Sequence, residues 1–131
     1  MNQAYLWDTN IAVYYLQQQL PPYAEKVLDE IAQSTRICFS IITEIELFGW
    51  KTATPFDFDL ISLFVDLCLL FEVDKDIRKK AAELRRRHNL ELLDAIIVAT
   101  AIVHGMTLIT NNTVDFAAIE NLRLLNPFDP Q

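Results

Sequence analysis

Glycine is scarce in this sequence, with only two among its 131 residues. A glycine-rich loop of the kind that cradles nucleotide phosphates is therefore absent. The two cysteines, Cys38 and Cys68, lie in apolar stretches, and we expect buried free thiols in a reducing cytoplasm rather than a disulfide. His88 and His104 have no zinc-binding spacing, and no serine or cysteine pairs with them by motif. These absences argue against zinc sites, hydrolytic triads and glycine-rich nucleotide sites.

Long apolar runs are missing as well. The longest strongly apolar segment, residues 95–103, is about half of the length that a membrane-spanning helix needs. A chain of 131 residues with 52% hydrophobic residues is long enough for one core and too short for two ordinary domains. We therefore expect a single domain over residues 1–131 that does not associate with a membrane.

Basic residues are outnumbered, 11 against 18 acidic ones, which gives a net charge of −7. This charge disfavours a protein that holds nucleic acid by bulk attraction, and it favours a basic protein partner. The basic residues are unevenly spread, since six of the eleven fall between Arg78 and Arg87. Acidic residues gathered around a metal ion would also account for part of the negative charge. The overall acidity therefore leaves a phosphate-bearing substrate open.

Short apolar stretches alternate with segments of helical periodicity along the whole chain. The predicted strands cover residues 4–7, 36–40, 70–73, 106–109 and 122–125, and they are mainly apolar instead of alternating. This pattern is typical of a parallel sheet that is covered by helices on both faces. We predict a three-layer α/β fold with a central parallel sheet of four to five strands. In such folds ligands bind beyond the carboxyl ends of the strands.

Four acidic residues lie near predicted strand ends or in the helices that follow: Asp8, Glu46, Asp94 and Asp115. Carboxylates that are brought close together raise one another's pKa, so such a cluster stays ionised only beside a cation. Ligand sets made of oxygen alone suit hard ions such as Mg²⁺ or Mn²⁺. The sequence therefore predicts one acidic pocket that binds a divalent metal.

Every one of these acids also fits an ordinary role at the start of a helix. The candidate roles are an N-cap for Asp8, an N-cap at Asp94 for a helix from Ala95, a capping box for Thr43 and Glu46, and a capped turn for Asn112 and Asp115. Spacing favours function most clearly at Asp94. Its helical neighbours Leu90, Ile97 and Val98 are apolar, and an unpaired carboxylate on such a face costs several kcal/mol.

Glu44 competes with Glu46 for a place in the pocket. Two residues apart on a helix, their side chains point about 200° away from each other, so at most one of them enters a given pocket. The spacing of the residues does not choose between the two.

Four motifs in order carry a resemblance to a known family, and the resemblance extends along nearly the whole chain. They are residues 6–10 (Leu-Trp-Asp-Thr-Asn), 40–47 (Ser-Ile-Ile-Thr-Glu-Ile-Glu-Leu), 93–101 (Leu-Asp-Ala-Ile-Ile-Val-Ala-Thr-Ala) and 108–116 (Leu-Ile-Thr-Asn-Asn-Thr-Val-Asp-Phe). The chain resembles the PIN-domain ribonucleases, and most closely the VapC-type toxins of bacterial toxin–antitoxin pairs. The second motif of the family places its acid just before a leucine, which selects Glu46 over Glu44. The chain departs from the pattern at Asn112, where many PIN domains have aspartate, so Asp115 is the other candidate for the fourth acidic place.

The resemblance implies a metal-dependent endoribonuclease toxin. Asp8, Asp94 and Glu46 would hold Mg²⁺ or Mn²⁺, and Asn112 or Asp115 would complete the catalytic set. Polar and basic residues beside them are candidates for positioning RNA, namely Thr9, Asn10, Thr110, Arg85 and Arg86. The basic run that contains Arg85 and Arg86 also fits a simple solvated helix face.

The resemblance further implies homodimerisation and a VapB-like antitoxin, one basic residue of which enters the acidic pocket. Two other classes of function remain as alternatives. One is a catalytically silent PIN-like binding module. The other is a receiver-like signalling domain, which would need a second acid beside Asp8 and a lysine after a late strand, and no lysine follows Lys80.

Overall fold

A computed structural model of the chain describes residues 4–129, and residues 1–3 and 130–131 lie outside the described range. Within that range the strands are β1 (Tyr5–Trp7), β2 (Cys38–Ser40), β3 (Leu69–Phe71), β4 (Thr107–Ile109) and β5 (Arg123–Leu125). The helices are α1 (Thr9–Leu16), α2 (Pro22–Ser34), α3 (Ile41–Phe48), α4 (Pro55–Leu67), α5 (Lys75–Arg87), α6 (Leu92–Val103) and α7 (Thr113–Phe116). Five parallel strands with intervening helices confirm the predicted α/β fold.

The strands are arranged in the order β3-β2-β1-β4-β5, and all neighbouring pairs are parallel. The chain therefore builds the sheet to one side of β1 and then crosses over to build the other side. Such a reversal opens a crevice at the carboxyl ends of the two strands where it occurs, here β1 and β4. The backbone pairing continues past β1, because the amide of Asp8 donates to the carbonyl of Ile109 at 2.9 Å. Asp8 is thereby placed at this crevice.

Helices cover both faces of the sheet, as the mainly apolar strands predict. Successive side chains of a strand point to opposite faces. On β1, Leu6 joins the core cluster that contains residues of α4, α5 and α6, whereas Trp7 joins a second cluster with residues of α2. The second cluster also receives Ile11 from α1 and Ile109 from β4. The architecture therefore has three layers, with the central strands buried on both sides.

Two helices that carry candidate residues begin earlier than the sequence pattern indicates. Helix α6 begins at Leu92 and not at Ala95, so Asp94 lies inside the first turn, and the alternative role of Asp94 as an N-cap is excluded. The apolar periodicity reports only the buried part of α6, since Leu92 and Leu93 in its first turn are 52% and 42% exposed. Burial, and not the first helical residue, is what the pattern records.

Helix α3 follows β2 directly, and Ser40 at the junction serves as its N-cap. The Ser40 hydroxyl accepts a hydrogen bond from the amide of Ile42 at 3.1 Å. The capping box considered for Thr43 and Glu46 does not form, because both residues lie within the helix. Their side chains are therefore free for contacts with other elements.

Both cysteines are buried and unpaired. Burial raises the pKa of the Cys68 thiol to about 12, which keeps that thiol protonated at neutral pH. Among residues 4–129, no helix is long and apolar enough to cross a membrane.

Candidate active site

Asp8 is fixed at the junction of β1 and α1 by a hydrogen bond to each of its carboxylate oxygens. The backbone amide of Thr9 donates to Oδ1 at 2.8 Å, and the hydroxyl of Thr110 donates to Oδ2 at 2.8 Å. Thr110 follows β4 and is itself held by the amide of Asn112, which donates to its hydroxyl oxygen at 3.0 Å. Asp8 therefore caps α1 and at the same time joins the ends of the two central strands.

The surroundings of Asp8 act on its pKa in both directions. Burial, at 8% exposure, raises the pKa of the Asp8 carboxyl, and its hydrogen bonds to Thr110 and Thr9 lower it. The charge of Glu46 adds a further rise. The outcome is a raised pKa, so the ionised form is held at an energetic cost.

Glu46 reaches the same region from α3. The hydroxyl of Thr9 donates to Oε1 of Glu46 at 2.6 Å, and the same hydroxyl is hydrogen-bonded to that of Thr43 at 2.9 Å. Glu46 lines the cavity described below, and Glu44 is not among the residues that line it. The geometry thus favours the glutamate that the family resemblance selects.

Asp94 enters from the first turn of α6. Its pKa is raised by burial first, and then by the charges of Asp8, Glu91, Glu46 and Asp115 in decreasing order. Every one of these causes disfavours the ionised form. Asp94 is therefore the point at which the negative charges of the site converge.

These three acids line one cavity of about 380 Å³ at the carboxyl ends of the central strands. The complete lining is Asp8, Thr9, Asn10, Glu46, Leu93, Asp94, Ile97, Asn111 and Asn112. Leu93 and Ile97 form an apolar wall, and every other lining residue has an oxygen atom in its side chain. Among the residues that the structure describes, no basic side chain lines this acidic cavity.

A second cavity of about 380 Å³ adjoins the acidic cavity and shares Asp94 with it. It is lined by Arg85, Asn89, Leu90, Glu91, Asp94 and Asp115. The structure therefore separates the two candidates for the fourth acidic place. Asn112 lies in the acidic cavity, and Asp115 lies in the second cavity, from which its charge acts on Asp94.

The residues expected to position RNA fall into three groups. Asn10 lines the acidic cavity and is exposed, and Arg85 lines the second cavity. Arg86 is exposed and lines neither of them. The hydroxyl of Thr9 donates to the carboxylate of Glu46, and the hydroxyl of Thr110 donates to that of Asp8. Within the described part of the chain, these two hydroxyls therefore orient carboxylates of the site.

The donor set of the acidic cavity fits a hard divalent cation. Its ligand atoms are carboxylate, amide and hydroxyl oxygens, which are the ligands that Mg²⁺ and Mn²⁺ prefer. Among residues 4–129, no three acidic, histidine or cysteine side chains are close enough to form a complete cage for a metal ion. Mg²⁺ commonly binds through one or two carboxylates and keeps several water ligands, so an open acidic cavity suits it.

Sequence reasoning missed three residues of the site. Thr43 was considered only as a helix cap, although its position one turn before Glu46 places both on one helix face. Asn111 was overlooked beside Asn112, and Glu91 was overlooked three residues before Asp94. For Asn111 and Glu91, proximity to the predicted acids was the only signal that the sequence contained.

The fold and the site together define a parallel α/β protein with an acidic cavity at the carboxyl ends of its central strands. The chain belongs to the PIN domain family, whose sequence profile matches residues 5–122. This membership and the structural likenesses below confirm the resemblance to VapC-type PIN domains.

Solved structures of toxin–antitoxin complexes contain similar chains. A chain of a toxin–antitoxin complex from Klebsiella pneumoniae is 30% identical with a TM-score of 0.78, over 97% of this chain and 100% of that one. A chain of VapBC2 from Rickettsia felis, bound to a promoter DNA fragment, is 26% identical with a TM-score of 0.81, over 95% and 98%. DNA-bound VapBC from Salmonella typhimurium, 21% identical over 96% and 99% with a TM-score of 0.79, shares the fold. No curated protein sequence matches the chain.

Proposed function

We propose that this protein is a metal-dependent endoribonuclease that acts as the toxin of a toxin–antitoxin pair. The observation that carries the proposal is the acidic cavity, into which the β1–α1 junction, α3 and α6 each contribute one carboxylate and which no basic side chain of residues 4–129 lines. Membership of the PIN domain family and the likeness to chains of toxin–antitoxin complexes support it.

Asp8 and Asp94 would hold Mg²⁺ or Mn²⁺ directly, and Glu46 would complete or orient the site. The bound ion would neutralise charge on the phosphate and lower the pKa of a coordinated water. Glu46 is the exposed carboxylate of the three and is suited to accept the proton of the attacking water. In the hydrolysis that the resemblance implies, the water oxygen bonds to phosphorus, the bond to the 3′ oxygen breaks, and the products carry a 5′-phosphate and a 3′-hydroxyl.

The fourth place is divided between two residues. Asn112 lines the acidic cavity, where its amide oxygen can orient a water or a phosphate without adding charge. Asp115 lines the second cavity, as Arg85 does. We assign the position beside the metal to Asn112 and the electrostatic role to Asp115.

RNA would extend from the acidic cavity into the second cavity, where Arg85 meets a phosphate of the backbone. A guanidinium presents its donors in a fork that matches phosphate oxygens. No ion pair engages Arg85 within residues 4–129, so its charge is available to a ligand.

A VapB-like antitoxin is the proposed protein partner, and the chain is proposed to form a homodimer. The similar chains belong to toxin–antitoxin complexes, and the net charge of −7 suits a basic partner segment. A basic residue of that segment would satisfy the carboxylates of the acidic cavity in the inhibited complex.

The substitution Asp94→Asn tests the proposed activity. It keeps the shape of the side chain and removes the charge on which the metal site depends. Cleavage of a single-stranded RNA in the presence of Mn²⁺ should fall by more than about 100-fold, beyond the effect of losing a residue that only supports a ligand. Growth inhibition on induced expression should disappear as well.

The matched control is Asp66→Asn, which alters an exposed aspartate on α4. Both variants should keep the circular dichroism spectrum of the wild type. Undiminished cleavage by Asp94→Asn would contradict the proposed metal-dependent activity.

A further inference from the structure

A chain of hydrogen bonds links α1 and α3 behind the acidic cavity. The Thr43 hydroxyl, on a residue with 0% exposure, lies 2.9 Å from the hydroxyl of Thr9, which lies 2.6 Å from Oε1 of Glu46. Thr43 and Glu46 are three residues apart on α3, so both side chains face the same neighbouring helix. Thr9 stands between them as the first residue of α1.

The direction of this hydrogen-bond chain follows from counting hydrogens. A threonine hydroxyl carries one hydrogen, and an ionised carboxylate only accepts. Because Thr9 donates its hydrogen to Glu46, the hydrogen between the two hydroxyls comes from Thr43. The order is therefore Thr43 to Thr9 to Glu46, and each donor strengthens the next through polarisation.

Thr9 also holds a second carboxylate of the cavity, that of Asp8, through its backbone. Its amide donates to Oδ1 of Asp8 at 2.8 Å while its hydroxyl donates to Glu46 at 2.6 Å. A single residue therefore fixes one oxygen on each of two acids that belong to different elements. The position of Glu46 relative to Asp8 is set by the short path through Thr9.

Glu46 has a particular need for such support. It is exposed, and a glutamate side chain loses about 1.5–2 kcal/mol of rotamer freedom when it is ordered. Within residues 4–129, the Thr9 hydroxyl is the hydrogen-bond donor to this carboxylate. We infer that Thr9 and Thr43 are positioning residues that hold Glu46 in place for the metal ion, an inference that rests on the proposed function.

Calorimetric titration of the whole protein with MnCl₂ tests this inference through binding and without activity. Thr9→Val keeps the branched shape and removes the hydroxyl, so Mn²⁺ should bind about 10-fold more weakly, as when a group that orients a metal ligand is lost. Thr9→Ser restores the hydroxyl and should bind within about twofold of the wild type. Unchanged Mn²⁺ affinity in Thr9→Val would overturn the inference.

Thr100→Val is the matched control for loss of a buried threonine hydroxyl. Thr100 has 0% exposure and donates to the carbonyl of Ile96 within α6 at 2.8 Å, away from the carboxylates. Its valine variant should bind Mn²⁺ like the wild type. If Thr100→Val and Thr9→Val lost Mn²⁺ affinity equally, the loss would reflect a general disturbance of the core. That result would count against the inference.

Thr43→Val separates positioning from structural support. The Thr9 hydroxyl keeps its hydrogen for Glu46 in this variant but loses the donor that orients it. We expect Mn²⁺ affinity to fall by about threefold, less than in Thr9→Val, because only polarisation and orientation are lost. A lower urea midpoint with unchanged Mn²⁺ affinity would show a structural role alone and would overturn the part assigned to Thr43.

A metal-free measurement keeps this inference separate from the proposed function. Urea unfolding of Thr9→Val, Glu46→Ala and the double variant forms a thermodynamic cycle. Coupling through the hydroxyl should make the unfolding constant of the double variant about fivefold smaller than independent effects predict. Absence of Mn²⁺ binding in the wild type would contradict the proposed function, whereas strictly additive effects in this cycle would refute the link between Thr9 and Glu46.

Discussion

At the scale of single residues, the surroundings of the acidic cavity disfavour the ionised forms of its carboxyl groups. The pKa values of Asp8 and Asp94 are both raised, in each case chiefly by burial. For Asp94 the other named causes, four neighbouring carboxylates, act in the same direction. A bound metal ion would offset this electrostatic cost. Substitution or protonation of one of the carboxylates would reduce it as well.

The raised pKa values give the protein a definite pH dependence. Between the ordinary aspartate value of 3.8 and the raised value, the folded state binds more protons than the unfolded state does. The contribution of these carboxylates to the free energy of unfolding therefore falls as pH rises through that window. At neutral pH the folded, metal-free protein is destabilised by the full free-energy cost of keeping these carboxylates ionised.

Asp94→Asn should consequently stabilise the metal-free protein at pH 7. We expect the thermal unfolding midpoint to rise by about 3 °C, the shift that about 1 kcal/mol produces in a chain of this size. The gain should shrink below pH 4, where Asp94 is protonated in both states. Addition of Mn²⁺ should stabilise the wild type more than the variant, since ligand binding to the folded state adds stability.

Differential scanning calorimetry with and without EDTA measures these shifts, and Asp66→Asn again serves as the control. Equal midpoints for wild type and Asp94→Asn in EDTA at pH 7 would show that the carboxylates do not strain the fold.

At the scale of elements, α5 distributes its basic residues around the helix in a way that the sequence run conceals. Successive residues turn by about 100°, so Arg85, Arg86 and Arg87 point in three directions. Arg85 lines the second cavity, Arg86 is exposed, and Arg87 forms an ion pair with Glu83 at 3.7 Å. Of the three, Arg85 alone lines the cavity that adjoins the acidic cavity and shares Asp94 with it.

Arg85→Ala should weaken the binding of single-stranded RNA by about 3- to 10-fold and lower the magnitude of the salt dependence by about one phosphate contact. Arg87→Ala should have a smaller effect, because Arg87 points elsewhere and is paired with Glu83. Fluorescence anisotropy with a labelled RNA, in an Asp94→Asn background that prevents cleavage, measures both quantities. Equal effects of the two alanine variants would mean that RNA follows the whole of α5 without preference for the second cavity.

At the scale of the whole molecule, α4 carries an apolar stripe on its outer side as well as on its core side. Phe56, Leu63 and Leu67 recur at helical spacing and are 73%, 63% and 74% exposed. Exposed apolar side chains on one helix face are a candidate surface for binding a protein partner. The exposed acids Asp59 and Asp66 on the same helix favour a partner with basic flanks.

Leu63→Lys should therefore weaken the complex with the proposed antitoxin by at least about 10-fold, since burial of a leucine contributes roughly 1.5–3 kcal/mol. Val103→Lys, at a 38% exposed position on α6, is the control and should leave the complex intact. Native mass spectrometry of the co-expressed proteins measures the outcome.

For the isolated chain, native mass spectrometry should give twice the mass of one chain, and a strict monomer would contradict the proposed homodimer.

The sequence predicted the existence and order of the elements because mainly apolar strands and periodic helices record burial directly. It missed the start of α6 by three residues, since the exposed first turn around Leu92 carries no burial signal. It indicated the acids of the site, but spacing left Glu44 and Glu46 equal and Asn112 and Asp115 unresolved. Long-range packing decides such choices, and a local pattern does not contain it.

The sequence by itself determined the layered α/β class, the free buried cysteines and the set of acids from which the site is drawn. Only the tertiary structure decided which of them meet, because the meeting depends on the crossover at β1 and β4 and on the packing of α3 beside α1. It also revealed the hydroxyl chain from Thr43 through Thr9 to Glu46, which joins residues 34 positions apart. Hydrogen bonds of that kind act over about 3 Å in space and leave no periodic trace along the chain.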